Sequence, residues 1–149
     1  MGAAVLLAGC ASTPLFTARD EIHGFLVAVR DNDQARFDAL VNQENLGASV
    51  ANHRCRVQAP RGDALVACVQ AARADPPVPL NAFRGIASSL GYGAGRRSSG
   101  PVGLPLKPIA HDEICLRKQA YGDCLLFFTE LRDGWRLTGI ADLARLDSR

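Results

Sequence analysis

The sequence predicts an α+β domain, with helices first and an antiparallel meander of three strands at the C-terminal end. Three observations predict it. Apolar residues recur at helical spacing from Ile22 to Leu90. A Gly/Ser/Pro-rich stretch, residues 91–105, then breaks that pattern. Beyond it, short β-branched and aromatic runs are separated by the turn signals Tyr121-Gly122-Asp123 and Asp133-Gly134. Strands never alternate with helices, so a parallel βαβ arrangement is disfavoured.

Each element follows from local chemistry. Thr17 with Asp20 reads as a capping box that opens a first helix, along which Ile22, Phe25, Leu26 and Val29 share a face. Asp31-Asn32-Asp33 interrupts, and Phe37, Leu40 and Val41 resume the spacing in a second helix. Residues 44–54, with Leu46 and Val50, form a weaker third. Asp63 is the expected N-cap of a fourth, with Leu65, Cys68, Val69 and Ala72 on one side and Asp75-Pro76-Pro77 as its stop. Asn81 opens a fifth, which turns Phe83, Ile86, Ala87 and Leu90 inward and ends at Gly91. The glycine-rich loop 91–105 is expected to be mobile. Residues 109–118, 124–131 and 135–140 read as the three strands, and the charged end, residues 142–149, is expected to fray. The expected core is Phe25, Val29, Phe37, Leu40, Leu65, Val69, Phe83, Ile86, Leu126, Phe128, Trp135 and Leu137.

A chain of 149 residues, 48% hydrophobic and 21% charged, can bury one real core. The net charge is only +2 and the basic residues are scattered. Nucleic acid demands a coherent basic face, so it is not an expected partner. No apolar run reaches the ~18–20 residues that span a bilayer.

The membrane signal lies at the start of the chain. Ala3 to Ala8 form a short apolar run that leads into Leu7-Ala8-Gly9-Cys10, then Ala11-Ser12-Thr13. This resembles the lipobox of bacterial lipoproteins: small residues fit a narrow protease site, and the Cys10 thiolate accepts a diacylglyceryl group. The resemblance implies cleavage before Cys10 and acylation of the freed amine, because several chains on one residue anchor stably where one does not. Residues 1–9 are then a truncated signal segment, 10–16 the lipidated cysteine and its tether, and 17–149 a single domain. Nine residues without Lys or Arg precede Cys10, so an upstream start is expected to supply the positive charge. Ala11 in place of Asp implies the outer membrane rather than the inner, with the domain facing the periplasm.

Cys55, Cys68, Cys115 and Cys124 remain, an even number that an oxidising compartment would pair. Local pairing, Cys55 with Cys68 and Cys115 with Cys124, closes short loops. It meets one geometric objection. A tight turn at Ala120-Tyr121-Gly122 sets Cys124 opposite Lys118, which would hold Cys115 beyond the ~7 Å reach of a bridge. The other two connectivities therefore stay open, and only a wider or distorted loop restores the local one. A metal site from His53, Cys55, Cys68, His111 and Cys115 lacks the usual ligand spacings, and no cofactor is expected.

The order of elements also resembles a family of proteobacterial domains to which no known activity attaches. The likeness lies in Ala-Val-Arg-Asp-Asn-Asp at 28–33 running into Phe37-Asp38-Ala39-Leu40-Val41, and in a closing strand like Trp135-Arg136-Leu137-Thr138-Gly139-Ile140. It covers residues 15–142. The helical opening and twisted sheet are similar, by analogy alone, to cone-shaped domains related to nuclear transport factor, which often hold a small ligand.

For chemistry, His23 reads as a helix-surface histidine. His111-Asp112-Glu113 would place His111 and Glu113 on one strand face. Arg96 and Arg97 in the loop offer a contact for lipid phosphates or another anion. No serine-hydrolase elbow, metalloprotease motif or phosphate loop is present. The reading that follows is a non-enzymatic envelope lipoprotein, held at the membrane by Cys10, that binds an envelope protein or a small apolar ligand. A hydrolase-like enzyme using His111 and Glu113 in a cleft is the alternative.

Overall fold

Helix α1 (Pro14–Arg30) organises the domain, and its apolar spacing explains why. Ile22, Phe25, Leu26 and Val29 turn inward and are buried. The computed structural model describes residues 14–147 apart from 59, 60, 74 and 99, so Cys10 and the lipobox lie outside the described residues. Within that range α1 is followed by α2 (Gln34–Leu40), α3 (Gln43–Gln58), α4 (Gly62–Ala72) and α5 (Arg84–Ser89). A four-stranded antiparallel sheet completes the α+β fold: β1 (Leu106–Ala110), β2 (Glu113–Arg117), β3 (Cys124–Leu131) and β4 (Gly134–Ile140), adjacent in chain order.

Several local expectations need correction. Asp63 is no cap, because α4 opens at Gly62 after Arg61, and Asn81 lies inside a 3-10 turn, Leu80–Phe83, that precedes α5. Within the described residues α1 already runs from Pro14, so Thr17 lies inside the helix. Thr17 is therefore no cap; its hydroxyl accepts instead from the Trp135 indole N–H at 3.1 Å. The meander has four strands, not three, because the stretch read as one strand from 109 to 118 turns back at His111-Asp112. That turn carries neither Gly nor Pro, which hid it. The added strand, β1, is an edge strand, where Pro108 and its missing N–H are tolerated.

The core closes around one ring. Phe25 meets Phe37 of α2, Phe83 before α5 and Phe128 of β3, with ring centroids 5.8, 5.5 and 5.6 Å away. Nine of the twelve expected core residues are buried; Leu40, Leu65 and Val69 are half-buried. The outer edge of β4 is covered by other elements. The Asn42 N–H donates to Leu137 O at 2.9 Å, the Ser49 hydroxyl accepts from Ile140 N–H, and His53 Nε2 meets Ile140 O at 2.9 Å. At the other end of β4, Glu21 accepts from the Trp135 N–H. An edge so satisfied offers no template for another strand.

Both disulfides take the local pairing, Cys55–Cys68 with Cα atoms 5.7 Å apart and Cys115–Cys124 with 5.6 Å. The geometric objection to the second bridge disappears because β3 bulges. Leu116 pairs with Leu126 but Arg117 pairs with Cys124, so one residue is absorbed and Cys124 swings toward Cys115. The two ends of the segment 91–105 are anchored, by buried Tyr92 at one and by buried Leu104 and the bond from Arg19 to Val102 O, at 2.8 Å, at the other.

Candidate functional site

The rings of Phe25, Phe37, Phe83 and Phe128 pack against one another between helices and sheet, and the clefts described below open at the surface. Two surface clefts adjoin, and α3 builds both. One side of α3 presents Ser49 and His53 to the sheet, as described. A second side, with Gly47, Val50, Ala51 and Arg54, faces the extended segment that leaves α4 at Asp75-Pro76-Pro77.

Gln43 fixes that segment. Its side-chain amide donates to Val78 O at 3.0 Å and accepts from Val78 N–H at 3.2 Å, copying a strand ladder with one residue. Between segment and helix lies a cleft of about 410 Å³. A second, of about 340 Å³, continues beyond it toward Ala82, Leu143 and Leu146, and the two share Val50, Arg54 and Val78. The far wall is held by the C-terminal segment, which was expected to fray. The Asp147 N–H donates to Ala82 O, and the Asp147 carboxylate accepts from Gly85 N–H, both at 2.9 Å.

The floor of this double cleft is apolar: Val50, Ala51, Val78 and Ala82 are all buried. Arg54 spans its middle and is paired with Asp75, Nη1 to Oδ2 at 3.2 Å. Among the described lining residues the charges are Glu44, Asp75 and Asp147 against Arg54 and Arg73, which nearly cancel. The site therefore favours a neutral molecule with an apolar body, and Arg54–Asp75 supplies polar groups to orient it. Gly47 opens directly onto the cleft, and a Cβ built there meets nothing within 4 Å.

No family model, curated protein or solved structure matches this chain.

His111 and Glu113 do not share a strand face. His111 stands in the β1–β2 turn, its side chain 93% exposed and 3.9 Å from Asp112, while Glu113 begins β2. Neither lines the clefts about Arg54. His23 is half-buried rather than on the open helix surface, and its Nδ1 lies 2.7 Å from the Tyr92 hydroxyl. Burial first, then the charges of Arg30 and Arg36, hold the His23 ring below its ordinary pKa, against the pull of Asp20. The four described cysteines are all bridged, and no group of three metal-ligating side chains gathers among the described residues. Arg96 lies beside Arg30, whose Nη1 donates to Arg96 O at 3.3 Å, and Arg97 is exposed. The double cleft escaped sequence reading because its parts come from residues 43–54, 72–82 and 143–147, and no local motif marks such a meeting.

Proposed function

We propose that this chain is the globular part of a lipid-anchored envelope protein that acts by binding, and that its ligand is a small, largely apolar, uncharged molecule seated in the double cleft about Arg54. The observation that carries the binding reading is the cleft itself, with an apolar floor, a nearly cancelled charge and a volume in the range of small-molecule sites. The lipobox residues Leu7-Ala8-Gly9-Cys10 support the anchor, and the two disulfides support an oxidising compartment such as the periplasm. Ala11 after the lipidated cysteine favours the outer membrane.

The cleft can be filled without disturbing the fold. Gly47→Leu places a side chain in open space and replaces a helix-interior glycine, which on propensity alone favours α3. Native mass spectrometry of the protein extracted from membranes in mild detergent should show a small-molecule adduct, and Gly47→Leu should remove it. An adduct that survives Gly47→Leu, or its absence from the wild-type protein, counts against this reading.

A further inference from the structure

A separate cleft, of about 410 Å³, opens at the C-terminal end of α1, against α5 and the start of the glycine-rich loop. Its chemistry is unlike that of the Arg54 clefts. Arg30 and Arg84 line it, together with Ser88 and Tyr92. Arg96 stands at its rim, since a Cβ on the lining residue Gly93 would sit 3.8 Å from Arg96 Cδ. Against these three cations the described lining carries one acid, Asp31. That acid is already engaged by Arg30, through Nε at 2.8 Å and Nη2 at 3.2 Å. Arg84 donates instead to a neutral acceptor, Asn32 Oδ1, at 2.9 Å. Two positive charges are therefore left uncompensated.

The backbone holds the cluster in shape. Asn32 adopts φ 56, the left-handed conformation that ends α1 and aims its amide at Arg84. The bond from Arg30 to Arg96 O sets the Arg96 backbone beside Arg30, and Arg96 Cδ lies next to the lining residue Gly93. Tyr92 is buried and its hydroxyl is oriented by His23.

We propose that Arg30, Arg84 and Arg96 form a binding site for the phosphate group of a phosphorylated molecule. Guanidinium forks match the oxygens of a phosphate, and their hydrogen bonds to an ionised acceptor are the strong ones. A phosphate monoester brings a charge of about −1.5 to −2 at neutral pH, which balances the surplus. The cleft has room for the phosphate and a small organic group. A soluble phosphate ester and a phospholipid headgroup present the same chemistry, so the test separates them.

The experiment uses the chain as exported and folded, followed by backbone amide NMR. Glycerol phosphate is titrated against sodium chloride at matched ionic strength. In a second arm the Cys10→Ser chain, which has no acyl anchor to hold it on vesicles, is sedimented with phosphatidylcholine vesicles, with and without phosphatidate. Saturable shifts at Asn32, Arg84, Ser88 and Gly93 with glycerol phosphate, absent with chloride, are the expected result. Arg84→Gln and Arg96→Gln should each weaken binding roughly ten-fold, while Arg56→Gln, on the exposed end of α3, leaves it unchanged. Should Arg84→Gln disturb the α1–α2 junction, Arg96→Gln carries the test alone. Sedimentation only with phosphatidate, lost in Arg96→Gln, would support the site and assign it to a lipid headgroup. The proposal is overturned if neither probe saturates, or if Arg56→Gln weakens binding as much as Arg96→Gln.

Discussion

Strands β2 and β3 are joined by a disulfide, by a ladder of hydrogen bonds and by buried side chains on both sides of the bridge. Helices α3 and α4 are also joined by a disulfide, but little else holds α4. It packs chiefly against α3, and none of its described residues is buried. Leu65, Cys68 and Val69 are half-buried, while Val66 stays 55% exposed. The loops closed span 13 and 9 residues, so chain entropy gives both bridges a similar value, roughly 3 kcal/mol each. The difference lies in what each bridge does in the folded state. One ties together strands that are already paired; the other keeps an apolar helix on the domain.

The largest effect should come from the packed half. Phe25→Ala opens a cavity among Phe37, Phe83 and Phe128 and should cost about 3–5 kcal/mol in urea unfolding. A loss below 1 kcal/mol would mean that this ring cluster is not the centre of the core. Next come the bridges. The pairs Cys55→Ala/Cys68→Ala and Cys115→Ala/Cys124→Ala should each lower global stability by roughly 3 kcal/mol, yet differ in hydrogen exchange. Amides of α4 should lose protection in the first pair and keep it in the second. Equal protection of α4 in both variants would erase the contrast.

A smaller effect is expected within α4 itself. Leu65→Ala removes a half-buried side chain and should cost only about 1 kcal/mol. A loss near that of Phe25→Ala would show that α4 is packed as tightly as the rest. The smallest is a pH effect in the packed half. The folded His23 pKa lies below its unfolded value of 6.5, so the unfolded chain takes up the proton first. Stability is full above that value and declines as pH falls through it toward the folded pKa. His23→Gln, which keeps an acceptor for Tyr92, should flatten this part of the profile; an unchanged slope would mean His23 does not cause it.

The same contrast explains what the sequence revealed. Helical spacing located the five described helices, and Phe25, Phe37 and Phe83 were recognisable as core because each falls on the apolar stripe of its segment; the structure brings the three together. Spacing identified the apolar face of α4 equally well, but it cannot count how many layers cover that face, so Leu65 and Val69 were placed too deep. The His111-Asp112 turn was missed because antiparallel pairing with the Ile114 side of β2 creates it, not a turn residue. The bridge at Cys124 depended on a bulge that pairing alone reveals. Arg54 and Gln43 gave no signal, because their partners Asp75 and Val78 stand 21 and 35 residues away.

The most direct test of the whole reading is the intact mass of the protein taken from native membranes, measured before and after reduction. The expected result is a chain that begins at Cys10 and carries acyl groups, with thiol alkylation that occurs only after reduction and counts two disulfides. A chain without lipid on Cys10, or one whose cysteines alkylate without reduction, would contradict it.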